Sequence, residues 1–194
     1  MTEVSMKGII LAGGSGTRLH PITQGISKQL IPIYDKPMIY YPMSLFLHAG
    51  IREVLLIVDP LDLQAFKDIL GDGSHFGVKL SYETQTIKRG IADALIIAEP
   101  FLAGAPSCLI LGDNLICDNL YNNAYNFLTS PYGSAHIFLK HVDCPSQFGV
   151  AEINSIDNTV KKITEILTTD QFLKQKHNQD TNTNYLKITI ITVE

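Results

Sequence analysis

Apolar, β-branched runs recur along the chain at residues 8–12, 54–58, 78–82, 107–111 and 135–142, each bounded by Gly, Pro or Asp. Such runs lack the strict alternation of a strand with one wet face, so they read as strands covered on both sides. Between them, apolar positions fall at helical spacing over 42–49, with Gly50 as its stop, over 61–70, stopped by Gly71-Asp72-Gly73, and over 91–102 and 119–128. The order β-α-β-α-β-α-β-α-β predicts an α/β protein with a mainly parallel sheet and helices on both faces. In that architecture ligands bind outside the carboxyl ends of the strands.

Past residue 149 the pattern changes. Residues 150–153 and 160–163 flank a polar turn at 154–158 and predict an antiparallel hairpin at the sheet edge. Residues 168–184 are rich in Thr, Asn, Gln and charge, with only Phe172 and Leu173 to bury, and predict a loop with one helical turn. A last apolar run, 185–193, reads as a strand. The expected organisation is a core domain over 1–165 and a divergent polar tail over 166–194, with no internal repeat.

Composition narrows the partners. The 194 residues carry 15 Lys+Arg against 19 Asp+Glu, a net charge of −4, which argues against nucleic acid as a ligand. At 45% hydrophobic and 18% charged residues the chain is of ordinary globular type. No run reaches membrane length. Cys108, Cys117 and Cys144 fit neither a disulfide framework nor a CxxC metal clip, so a reducing cytoplasm is expected. The six histidines show no HxH or HExxH spacing, which argues against a histidine metal cluster.

The chemistry-bearing segment begins where the first strand ends, at Gly13-Gly14-Ser15-Gly16-Thr17-Arg18. Glycine lets backbone N–H groups approach a phosphate closely, successive amides form an anion-binding concavity, and Arg18 adds a planar, permanently charged fork. The spacing is neither GxGxxG, because position 19 is Leu, nor the Walker pattern, because no Gly-Lys-Ser/Thr follows. A tight turn with no ligand is the competing reading of the glycines alone. For Lys28 the competing reading is a solvated side chain, and for Asp113 a helix cap.

The loop is followed by Ser27-Lys28-Gln29, Pro32, and the run from Asp35-Lys36-Pro37 to Tyr40-Tyr41-Pro42. Further on come Leu70-Gly71-Asp72-Gly73-Ser74, Gln85 with Gly90, Leu111-Gly112-Asp113-Asn114 and Phe148-Gly149-Val150. In this order and spacing the chain resembles the sugar-phosphate nucleotidyltransferases, particularly the glucose-1-phosphate thymidylyltransferases, over about residues 7–165. The resemblance implies a Rossmann-like three-layer α/β/α sandwich that transfers dTMP from dTTP to glucose 1-phosphate, giving dTDP-glucose and pyrophosphate. It implies that Leu11, Gly13, Gly14, Ser15, Gly16 and Thr17 cradle the nucleotide, that Arg18 holds the leaving pyrophosphate, and that Lys28 neutralises charge near the α-phosphate. Gln85 and Gly90 would face the base, Leu111, Gly149 and Glu165 the sugar, and Asp113 would bind Mg²⁺. A homo-oligomer is expected.

Three departures from the resemblance bear on activity. Thr86-Ile87-Lys88-Arg89 stands where a proline-rich turn with an acidic residue is implied, and two cations there alter the local field. Ile166-Leu167 follows Glu165 where a phosphate-contacting Lys and a Pro are implied. The implied second metal-binding Asp has no counterpart in these 194 residues. The expectation is a thymidylyltransferase of impaired activity. The alternatives are a non-catalytic nucleotide-binding or regulatory paralogue, and an interaction protein working through its tail.

Overall fold

The computed structural model describes residues 6–14, 16–87, 89–116, 135–141, 150–154, 156, 159–164 and 186–193. The chain forms two compact units, one of residues 1–136 with 192–194 and one of residues 137–191. The predicted helix at 119–128, the loop at 168–184, and Cys117 and Cys144 lie outside the described residues.

In the first unit, β1 (Lys7–Ala12) leads through single 3-10 turns into a short ribbon of β2 (Pro32–Ile33) and β3 (Lys36–Pro37), then α1 (Tyr40–His48). There follow β4 (Glu53–Val58), α2 (Leu63–Leu70), β5 (Lys79–Thr84), α3 (Ile91–Leu102) and β6 (Ser107–Leu111). β5, β4, β1 and β6 are neighbours in that order and all parallel. Ile9 is in register with Leu55 of β4 and Leu109 of β6. With Ile57 these residues pack against Ala94 and Ala98 of α3 in one buried cluster. Alanines one helical turn apart let the helix lie close to the sheet.

Side chains alternate along a strand, so Gly8 faces away from that cluster. A Cβ on Gly8 would lie 2.6 Å from Cδ2 and Cε2 of Phe46, and Phe46 of α1 is fully buried. The two helices therefore cover opposite faces. This is the expected α/β/α layering, and it explains the continuous apolar runs: both sides of each central strand are dry.

The boundaries shift for identifiable reasons. α1 starts at Tyr40, before the predicted 42, because Pro42 lies in the first turn, where its missing N–H has no intrahelical partner to lose. α2 starts at Leu63 rather than 61. Leu61 N–H donates to the Asp59 carboxylate (3.1 Å) and Asp62 N–H to the Asp59 carbonyl (3.0 Å), so a turn occupies these positions and leaves Leu61 93% exposed. β5 runs on to Thr84, since its ladder with β4 continues through Glu83 and Thr84 regardless of side-chain polarity. The β2–β3 ribbon, two residues a side, is too short to leave a periodic signal.

The second unit takes in most of β7 (Ala135–His141) and β10 (Leu186–Val193), with β8 (Val150–Ile153) and β9 (Val160–Thr164). β8 and β9 form the expected antiparallel hairpin, closed by Asn154 N–H donating to the Thr159 carbonyl at 2.8 Å. β10 pairs antiparallel to β8, Leu186 opposite Ala151, and β7 also pairs with β10. The hairpin thus gains a third strand from the terminal run. Among the described residues, no helix is long and apolar enough to cross a membrane.

Two expectations test this packing. Gly8→Ala should cost about 1–3 kcal/mol, because its methyl group meets the Phe46 ring. Combining it with Phe46→Leu should cost less than the sum of the two single changes, read from denaturant midpoints. Cys108 lies buried in β6, and burial pushes its thiol from 9.0 up to about 12. The folded state therefore keeps a proton that the unfolded state releases, so stability falls as pH rises from about 9 towards 12. Cys108→Ala should flatten that alkaline slope in unfolding measured at pH 8, 9 and 10.

Candidate active site

The strand order reverses beside β1: the chain steps outward from β1 to β4 and β5, then returns to place β6 on the other side of β1. At such a reversal the connections leave in opposite directions and open a crevice at the carboxyl ends. Two of the glycine-bearing segments singled out in the sequence lie there, the loop after β1 and Gly112-Asp113 after β6.

Their closeness is specified atom by atom. Gly112 N–H donates to the Leu11 carbonyl at 2.9 Å, extending the contact between the two strands past the end of β6. A Cβ on Gly112 would stand 3.0 Å from Gln29 Cγ and 3.1 Å from Ala12 Cβ, tight enough to move them apart. Gly16 has φ +60°, in the left-handed region, and a Cβ there would lie 2.9 Å from Thr23 Cγ2 and 3.3 Å from Lys28 Cβ. Thr23 Oγ1 donates to the Gly16 carbonyl at 2.8 Å, and Leu19 N–H donates to the same oxygen at 2.8 Å. The loop is thereby tied into the 3-10 turn Thr17–Leu19 that carries Arg18. Arg18 is exposed and forms no ion pair with another described residue.

Lys28 opens the turn Lys28–Leu30, and its Nζ reaches Asp113 Oδ2 at 2.5 Å. Both side chains remain partly open to solvent. This pair spans the crevice, joining the turn that packs on Gly16 to the end of β6. Asp113 offers hard carboxylate oxygen. Among the described residues no group of three or more His, Cys, Asp or Glu could enclose a metal ion. A single carboxylate of this kind can share a cation with the oxygens of a bound phosphate.

Beneath the loop are two buried amides. Gln29 accepts a hydrogen bond from Ser27 Oγ at 2.9 Å, with its Nε2 3.9 Å from where a Cβ on Gly14 would stand. Gln85, just past β5, is fixed by its own N–H donating to the Val58 carbonyl at 2.9 Å. Its side-chain Nε2 donates to Asp93 Oδ2 at 2.8 Å and to the Gly90 carbonyl at 3.3 Å. Gly90 has φ +90° and caps α3, and Asp93 lies in the first turn of that helix, where a carboxylate is favoured. Arg89 Nε bonds Asp93 Oδ1 at 3.2 Å, so one of the two charges expected to alter the field before Gly90 is met by a carboxylate.

The expected residues Leu11, Gly13, Gly14, Gly16, Thr17, Arg18, Lys28, Gln85, Gly90, Leu111 and Asp113 all belong to the first unit, around the ends of β1, β5 and β6. Ser15, Lys88, Gly149, Glu165 and Ile166 lie outside the described residues. Sequence reasoning assigned no role to Gln29 or Asp93. The Gln29 signal was its place inside the Ser27-Lys28-Gln29 motif; Asp93 lies in the first turn of the helix predicted over 91–102, with no motif around it.

The fold sets glycines, a lysine and a carboxylate together at its switch point, and the chain belongs to the nucleotidyl transferase family, whose model matches residues 7–166. Within it, the chain is 50% identical over 149 residues to a glucose-1-phosphate thymidylyltransferase of Neisseria meningitidis, covering 77% of this chain and 52% of that protein. It is 48% identical over 150 residues to the enzyme of that name from Mycobacterium tuberculosis, covering 77% and 52%. The chain spans about half the length of the curated relatives it matches. A crystal structure from Bacillus anthracis, described as a glucose-1-phosphate thymidylyltransferase with sucrose, superposes with TM-score 0.84 at 32% identity over 98% of this chain and 72% of that one. A UDP-glucose pyrophosphorylase complexed with UDP-glucose shares the fold, with TM-score 0.74 at 20% identity over 97% and 76%.

Gly16→Ala should destabilise the first unit by about 1–2 kcal/mol, since an L-residue is strained at its φ and its methyl meets Thr23. Gly14→Ala, whose methyl would meet only Gln29 Nε2 at ordinary contact distance, should change stability by less than about 0.5 kcal/mol. Equilibrium unfolding of the two variants side by side checks the contrast.

Proposed function

We propose that the site transfers a thymidylyl group from dTTP to glucose 1-phosphate, giving dTDP-glucose and pyrophosphate. The observation that carries this reading is the Lys28–Asp113 pair set across the crevice beside the glycine loop: a cation and a carboxylate where a triphosphate would lie. The likeness to named thymidylyltransferases selects the nucleotide and the sugar.

In this reaction the sugar phosphate attacks the α-phosphorus, and negative charge builds on the non-bridging and leaving oxygens. Amides of Gly13, Gly14, Ser15, Gly16 and Thr17, next to Leu11, cradle the triphosphate. Arg18, exposed and without an ion-pair partner among the described residues, turns its fork to the leaving pyrophosphate. Lys28 exchanges part of its contact with Asp113 for the α-phosphate, so its positive charge is already in position before the transition state forms. Asp113 would hold Mg²⁺, which when bound supplies further neutralisation of the phosphate oxygens. Gln85 and Gly90 face the base and Leu111 the sugar; Gly149 and Glu165, to which the resemblance also gives the sugar, lie outside the described residues. Ile166 offers no charge where the resemblance implies a lysine, so this reading includes turnover slower than that of relatives.

Pyrophosphate release in the presence of dTTP, glucose 1-phosphate and Mg²⁺ tests the reading directly. Arg18→Ala should weaken dTTP binding more than Lys28→Ala does, because the guanidinium takes two phosphate oxygens and the ammonium acts as a point charge. Lys28→Ala should instead lower kcat by about 10²-fold or more. If dTTP raises the melting temperature and no pyrophosphate appears, the site is a nucleotide-binding module without transfer.

A further inference from the structure

We propose that Asp93 sets base selection at this site by locking the Gln85 amide with only its oxygen turned towards the nucleotide. The inference rests on the reading above in one respect, that the base of a bound nucleotide lies at Gln85.

A glutamine amide is two-faced: rotated by 180°, it exchanges a donor for an acceptor with almost no change of shape. Left free, Gln85 would accept from one base and donate to another. Here that freedom is removed. Nε2 faces Asp93 Oδ2 at 2.8 Å and the Gly90 carbonyl at 3.3 Å, and both of those oxygens can only accept. The rotated amide would set its oxygen against two acceptors in a place where Gln85 is 4% exposed and water cannot relieve the conflict. Both amide hydrogens are therefore used, and Oε1 points the other way, 3.6 Å from where a Cβ on Gly13 would stand. It faces the first loop glycine, with Asp59 N and Leu11 Cδ1 each 4.0 Å from the same point.

Asp93 is itself held. Its side chain is 10% exposed, it sits in the first turn of α3, and its second oxygen takes Arg89 Nε at 3.2 Å. One carboxylate oxygen orients the glutamine and the other is anchored by the arginine. The base presented to Oε1 must then give a hydrogen bond. Thymine has a single N–H once N1 carries the sugar, the imide at N3, and uracil has the same. Cytosine in the same pose presents a bare nitrogen at that position, and two lone pairs meet. Asp93 is thus a positioning residue: it touches no substrate and acts through Gln85.

The experiment measures dissociation constants for dTTP and dCTP with Mg²⁺, on the chain as it stands and on Asp93→Asn. The asparagine keeps the shape but can face Gln85 with either end, so only the longer contact to the Gly90 carbonyl still opposes rotation of the amide. The expected result is a native preference for dTTP that falls about tenfold in the variant, roughly one hydrogen bond's worth of discrimination, with dCTP binding gained or unchanged. Asp93→Ser, whose hydroxyl both gives and takes a hydrogen bond, should show the same fall and covers the case in which asparagine impairs folding. A dTTP preference that survives both substitutions overturns the inference and leaves the nucleotide reading intact. Equal weakening of dTTP and dCTP also overturns it, since that is what a purely structural role produces. Binding of neither nucleotide by the native chain overturns the reading of the site and the inference with it.

Discussion

The approach of β1 to β6 at their carboxyl ends is the constraint on which the rest of the site depends. Two parallel strands can carry loops of any shape beyond their ends, but here the two exits stay in contact, with Gly112 N–H reaching the Leu11 carbonyl and no room for a side chain at Gly112. That contact brings Asp113 within reach of Lys28. Lys28 in turn packs under Gly16, so the loop that carries Arg18 is referenced to the same strand ends. A displacement of β6 would separate Asp113, Lys28 and the glycine loop together.

The electrostatics of the crevice follow from what is buried and what is not. Lys28 and Asp113 keep partial access to water, which lets their pairing be exchanged for phosphate and cation at small cost. The amides beneath are dry, and a dry amide must have its polar atoms matched. Gln29 Oε1 is matched by Ser27 and Gln85 Nε2 by Asp93 and Gly90, so these side chains are oriented by the floor of the crevice while the charged groups above it stay partly open to solvent. Oriented dipoles and accessible charges are what a phosphoryl-transfer site requires, because positioning supplies most of the rate.

The layering was legible because hydrophobic periodicity reports burial directly. Runs such as Val54–Val58 have no wet face, and only a sheet covered on both sides explains them. The glycine loop was legible because its residues carry the chemistry locally. Boundaries were less legible where a backbone ladder or an Asx turn overrode side-chain pattern, as at Glu83 and Asp59. Asp93 was not legible at all: eight residues from Gln85 in sequence, its role depends on the turn at Gly90 folding the helix start back under the strand.

The amino-acid sequence by itself determined the parallel α/β class, the position of the glycine loop after the first strand, and the residue types that loop carries, because each of these is written in patterns no longer than one element. The tertiary structure alone decided which strand ends meet, and therefore that Lys28 pairs with Asp113 across 85 residues and that Gln85 presents an acceptor and not a donor. Those outcomes depend on strand order and on which hydrogen-bond partners are trapped together when water leaves, and neither quantity is local to any stretch of chain.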